Sequence, residues 1–258
     1  MFIDTHAHLD YVLQNLSTDQ QIIDFNFLFA NNLELIVHIS LDADKFLQNY
    51  PKLSSYNNID FATGIYPDHA NILNFNEDQE IEKLKKVLIN YKHVALGEIG
   101  IDFKDDSYGT PIAQESLFEK QLALAEELQL PVIIHSRMSF KESYHSLMKY
   151  KTPAIIHCFS YGIKEAELVL DRGDYISFAG LLTYKKSVEL QEVAQMIPLD
   201  RILFETDSPY LSPVPVRHKS NIPNHVQHTY QFFANLRNIP IEELSLIVKN
   251  NFNKAFKI

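Results

Sequence analysis

LPVIIHSRMSFKESYHSLMKYKTPAIIHCF, residues 130–159, shows in miniature how the chain is organised. PVIIHS (131–136) and PAIIHCF (153–159) are short apolar runs rich in isoleucine, each opened by proline and each reaching a histidine. Their length and β-branched content predict buried strands, and the stretch between them, 140–150, has the periodicity of an amphipathic helix. A strand returning after such a crossover lies parallel to the first. The two histidines stand 157 − 135 = 22 residues apart, so the second strand repeats the plan of the first.

The same unit recurs outward in both directions. Strands are predicted at FIDTH (2–6), LELIVHIS (33–40), IDFATGIY (59–66), HVALGEIG (93–100), YISFAG (175–180) and RILFETDS (201–208). Helices are predicted at 19–31, 77–91, 113–128, 164–172 and 187–196, with a shorter link at 42–50. Eight strand and helix alternations in 258 residues predict an α/β chain with a (β/α)8 TIM barrel. No Gly/Ser-rich or Pro-rich spacer separates strands four and five, so residues 1–258 are expected to form a single domain. The Pro-rich SPYLSPVPVRHKSNIP (208–223) is expected to be an ordered loop over the barrel mouth.

Composition narrows the function classes. Hydrophobic residues make up 46% of the chain, enough for a sizeable core, but no apolar run approaches the roughly 20 residues of a membrane span. Cys158 is the only cysteine, which excludes an intramolecular disulfide and agrees with a reducing compartment. Met1 leads directly into the first strand, so the expected location is the cytoplasm, with no membrane and no obligate protein partner. The net charge of −10, from 23 Lys+Arg and 33 Asp+Glu, argues against a broad basic face that coats nucleic acid. It leaves room for a local phosphate site, because bound cations reverse the field in an acidic cleft.

The polar residues at strand ends carry the functional argument. In a barrel of this kind the carboxyl ends of the strands form one face, where catalytic groups gather. His6 and His8, Glu98, His135, His157 and Asp207 all fall at such ends, giving six metal-competent side chains from five strands. Singly each has a plainer reading: His135 or His157 as a hydrogen-bonded barrel histidine, Glu98 as a partner for a base, Asp207 as a turn cap. Together they would crowd unpaired charge into one mouth, which is costly without a cation. His38, His93, His145, His225 and His228 read as packing or surface residues. Cys158, of opposite parity to His157, is expected to face the helical layer as a small buried hydrophobe.

THAHLD, GEIGID, LPVIIHSR, IIHCFS, YISFAGLLTYK and ILFETDSPYLSP together resemble the TatD family of metal-dependent deoxyribonucleases, among the amidohydrolase-like barrels, in order over nearly the whole chain. The resemblance implies two divalent cations: His6, His8 and Asp207 on one, His135 and His157 on the other, and Glu98 bridging them. It implies hydrolysis of DNA phosphodiesters, often from the 3′ end, on single strands or strand ends. In such chemistry paired ions acidify a water and clamp the phosphate, with Asp207 as ligand and proton acceptor and Glu98 as the shared catalytic carboxylate. Mixed imidazole and carboxylate ligands suit Zn²⁺ or Mn²⁺, and Mg²⁺ if phosphate oxygens complete its shell.

Around these residues Arg137, Tyr66, Lys185 and Arg217, with Lys219, are candidate substrate contacts, each also readable as ordinary surface or packing. Glu205 and Asp102 are candidates for orienting the ligands. The chain departs from the family pattern at GIYPDH, where Tyr66 replaces the usual histidine and His69 follows three positions later. It departs again at RHKSNIP, through His218, Ser220 and Ile222. Two other functions fit the same residues: a small-molecule amidohydrolase acting on an ester, lactone or cyclic amide, and a non-catalytic barrel that binds nucleic acid.

Overall fold

The computed structural model describes residues 1–14, 33–72, 75–104 and 106–258. Its strands are β1 (Phe2–Ala7), β2 (Leu33–Ser40), β3 (Ile59–Thr63), β4 (Ala95–Asp102), β5 (Val132–Arg137), β6 (Ala154–Ile156), β7 (Tyr175–Phe178) and β8 (Ile202–Phe204). They form one eight-stranded sheet in the order β1 to β8, and Ala7 at the end of β1 bridges Ser208 just past β8, in parallel. This is the strand order of the expected (β/α)8 barrel.

The helices are α1 (Leu9–Gln14), α2 (Ala43–Leu53), α3 (Glu77–Asn90), α4 (Pro111–Leu128), α5 (Phe140–Leu147), α6 (Ile163–Asp171), α7 (Val188–Met196), α8 (Val226–Arg237) and α9 (Ile241–Ala255). The helix expected at 19–31 lies outside the described residues. Helix starts follow their caps: Asp42 accepts the Lys45 N–H at 2.7 Å, and Thr110 accepts the Ala113 N–H at 3.2 Å with Pro111 as the first helical residue. Four strands stop sooner than the apolar runs suggest, at Thr63, Ile156, Phe178 and Phe204. Beyond two of these ends, Cys158 (φ 45°) and Asp207 (φ 55°) take left-handed backbone, which a strand does not tolerate. His157 and Asp207 therefore sit in turns just past β6 and β8. Strand parity fails for Cys158 too, which is half-buried rather than a core residue.

Backbone contacts group the chain into two compact units. The first comprises 1–38, 56–60 and 157–254, and its aromatic core sets Phe204 against Tyr230 at 4.5 Å and Phe233 at 5.1 Å between ring centres. The buried Tyr230 hydroxyl donates to the Ile3 carbonyl at 3.1 Å, which pins α8 onto β1. The second comprises 39–55, 61–156 and 255–258. There Phe46 packs on His93 at 4.6 Å and Tyr91 at 5.2 Å. Its strands β4 and β5 pair Gly100 with His135, and a Cβ on Gly100 would stand 1.8 Å from the His135 carbonyl oxygen, so the approach requires glycine.

Candidate metal centre

In the first unit the alternation of β1 puts Asp4 and His6 on one face, with His8 two positions on, just past the strand's end. His6 Nε2 and His8 Nε2 lie 3.4 Å apart, and Asp207 Oδ1 is 3.8 Å from the first and 3.5 Å from the second. Ligands bound tetrahedrally at about 2.1 Å stand roughly 3.4 Å from one another, so these three donors have the spacing of one shared ion. Burial works to raise the Asp207 carboxyl, but its hydrogen bond to His8 and the nearby His157 and His6 outweigh it and hold it below the ordinary carboxylate range. The group therefore presents a carboxylate, as a ligand must.

Hydrogen bonds between the ends of β1 and β8 fix this arrangement. The Asp207 N–H donates to the His6 carbonyl at 2.9 Å and the His8 N–H to the Ser208 carbonyl at 2.9 Å. Asp4, fully buried, accepts the Thr206 N–H at 2.8 Å and the Thr206 hydroxyl at 2.6 Å. Asn221 donates to the Thr206 carbonyl at 2.9 Å. Glu205 holds the next donor: its Oε1 lies 3.1 Å from His157 Nδ1 and accepts the Cys158 N–H at 2.7 Å, while Ser177 Oγ donates to Oε2 at 2.6 Å. A proton on His157 Nδ1 leaves Nε2 with the lone pair a metal requires. The His157 ring stacks on His6 at 4.0 Å and 14°. His38 takes no such role: burial lowers its pKa to about 3, and its neutral Nδ1 accepts the Leu9 N–H at 3.2 Å at the start of α1.

In the second unit His135 stands between two carboxylates. Nδ1 is 2.7 Å from Glu98 Oε1 and Nε2 is 3.0 Å from Asp102 Oδ2, with the Tyr66 hydroxyl 3.3 Å from the same Nε2. Burial works to raise the Asp102 carboxyl, but the His135 hydrogen bond and charge, the Lys104 N–H and the charge of Arg137 bring it below its ordinary value. Two buried glutamines on α4, two helical turns apart, hold the backbone that carries these groups. Gln114 accepts the Asp102 N–H at 2.8 Å and donates to its carbonyl at 3.0 Å, and Gln121 does the same for Ile65, at 2.7 and 2.9 Å.

These donors can be set beside known proteins. Residues 3–257 match the TatD related DNase family. The chain belongs to the TatD family. It is similar to the uncharacterized metal-dependent hydrolase YcfH of Escherichia coli K12, 32% identical over 99% of this chain and 96% of that protein. YabD of Bacillus subtilis 168, also an uncharacterized metal-dependent hydrolase, is 32% identical over the full length of both. Among solved structures, the TatD homolog YjjV from Escherichia coli K12 superposes with a TM-score of 0.89 at 27% identity, covering 100% of this chain and 98% of that one. The chain is thus a metal-dependent hydrolase with the TatD-type barrel.

The remaining residues of interest in this TatD-family hydrolase occupy varied settings. Arg137 is exposed at the end of β5, where it pairs in register with Asp102. Tyr66 sets its ring edge-on to His135 at 5.0 Å and to Tyr108 at 5.8 Å. Lys185 is exposed after β7, and the exposed Arg217 lays its guanidinium 4.1 Å above the Tyr184 ring. His69 is engaged by Asp68 at 2.7 Å and Asp42 at 3.5 Å. Asp4, Ser177, Thr206 and Asn221 were not singled out from the sequence, although a charged residue in an apolar strand with the parity of His6 marks Asp4. No local pattern marks Gln114 or Gln121, whose partners are backbone groups of other segments.

Proposed function

We propose that this TatD-family hydrolase cleaves phosphodiester bonds of DNA, acting from 3′ ends or on single strands, with two divalent cations as cofactor. The spacing of His6, His8 and Asp207 at the separations of one coordination shell, in a chain of that family, carries the reading. His6, His8 and Asp207 hold one ion; Glu98, His135 and His157 are assigned the other by the motifs they occupy. The cations, Zn²⁺, Mn²⁺ or Mg²⁺, supply Lewis acidity toward a phosphate oxygen and acidify a water near neutral pH.

The chain's own residues do the rest. Glu205 fixes the His157 tautomer, and Asp207, held as a carboxylate, has the ionisation of a proton acceptor. Arg137, Lys185 and Arg217 offer cationic contacts to the strand, and Tyr66 a hydroxyl donor. Among the described residues no helix is long and apolar enough to cross a membrane. The reading places the enzyme in the cytoplasm, acting without an obligate protein partner. The test is turnover by the metal-loaded protein on labelled single-stranded DNA, duplex DNA, RNA and a panel of small esters and lactones. A ladder shortening from the 3′ end is expected. Cleavage of the small esters alone would transfer the chain to the small-molecule amidohydrolases, and binding of DNA without any turnover would make it a binding barrel.

A further inference from the structure

The loop that follows β8 presents an aromatic ring to solvent from a rigid support. Tyr210 is 53% exposed, while Ser208, Ser212 and Asn221 of the same loop are buried. Its backbone is tied on both sides: the N–H donates to the Asp207 carbonyl at 2.9 Å and the carbonyl accepts from Asn221 Nδ2 at 2.6 Å. A tyrosine placed for packing buries its ring, as Tyr230 does in the same unit. Tyr210 instead stands edge-on to His8, with 6.2 Å between ring centres at 70°, and Tyr11 approaches the same imidazole at 5.9 Å and 58°. Seven residues along the loop is the exposed Arg217, lying flat on Tyr184.

We propose that Tyr210 is a base-stacking surface beside the metal centre, so that the site takes a phosphodiester flanked by an unpaired nucleobase. This rests on the phosphodiesterase reading above. Proteins that hold single strands combine cations along the backbone with aromatic rings under the bases. The net charge of −10 argues against a broad basic face that would give strand affinity by counterion release, so a contact with the base has to supply more of it. Stacking meets that need, and a ring held on fixed backbone loses little conformational freedom when a base settles on it. A paired base keeps its faces within the duplex stack, so the surface selects frayed ends and single strands.

The experiment uses the metal-loaded full chain and two fluorescent pentamers with hydrolysis-resistant phosphorothioate linkages, one of thymidine and one of abasic units, with binding followed by anisotropy. Wild type is expected to hold the thymidine pentamer at least about tenfold more tightly than the abasic one. Tyr210→Ala removes most of that preference and Tyr210→Phe restores it, with far-ultraviolet circular dichroism unchanged in both. Equal affinity of wild type for the two pentamers, no binding of either, or an undiminished preference in Tyr210→Ala overturns the proposal. Turnover of the ordinary phosphodiester pentamers, measured in parallel, keeps the two readings apart. A base preference in binding without cleavage removes the nuclease reading and keeps the surface; cleavage without a base preference does the reverse.

Discussion

Around His6 and His8 two imidazole nitrogens face each other across 3.4 Å with one carboxylate, Asp207, beside them, whereas His135 is held between Glu98 at 2.7 Å and Asp102 at 3.0 Å. Both nitrogens of His135 lie within hydrogen-bond distance of carboxylate oxygens. In the first cluster two histidine nitrogens and a carboxylate oxygen turn toward one point, which a cation satisfies better than protons can. One cluster is arranged for an ion; in the other the histidine is already held by its two acids.

The largest effect expected from this contrast is at Asp207. Asp207→Asn keeps the shape but removes the carboxylate from the first cluster, and turnover should fall at least about a hundredfold while the ion content drops. Rates and elemental analysis of the folded variant check this together. Near-normal turnover with full metal content would erase the distinction between the clusters.

A smaller separation is expected between the two supporting acids. Glu205 is the carboxylate recorded at His157 Nδ1, so Glu205→Gln should weaken metal affinity about 10- to 100-fold. Asp102→Asn should cost less, because Glu98 still holds the other His135 nitrogen. Competition with a fluorescent chelator ranks the two variants, and the reverse order would show that His135 depends more on its supporting acid than His157 does. Thr206→Val tests the frame beneath the first cluster. It deletes the hydroxyl that donates to Asp4 and accepts from the Ser208 N–H, and should lower unfolding stability by about 1–3 kcal/mol in urea titrations of the metal-free protein.

Much of this could be read from residues alone, for a physical reason. Periodicity reports burial, so all eight strands and the helices α2 to α7 fall near their expected places, whereas α1, α8 and α9 lie outside the expected ranges, and ligand-type residues stand out against apolar strand ends. What periodicity does not report is where backbone turns left-handed, which is why β6 and β8 end before His157 and Asp207. Nor does it report partners distant in sequence. The Asp4 hydrogen bond to Thr206 spans 202 residues, and Gln121 reaches Ile65 across 56. His69 reads from sequence as a displaced family histidine, and only the structure shows it between two acids.

That histidine gives the smallest effect, at another ring held between two carboxylates in the second unit. Burial works against charge on His69, but Asp42 and Asp68 outweigh it and raise its pKa from 6.5 to about 9. The folded chain thus holds the proton more tightly than the unfolded chain, whose histidine titrates near 6.5. The stabilisation is full below about pH 6.5, falls as pH rises, and is gone once pH passes about 9. His69→Gln removes it, so wild type should exceed the variant by on the order of 1 kcal/mol at pH 6, the side chains being partly solvated, and by nothing at pH 10. Thermal unfolding of both at the two pH values measures the difference. A gap that persists at pH 10 would mean that His69 stabilises the loop through packing on Phe75, 5.9 Å away between ring centres.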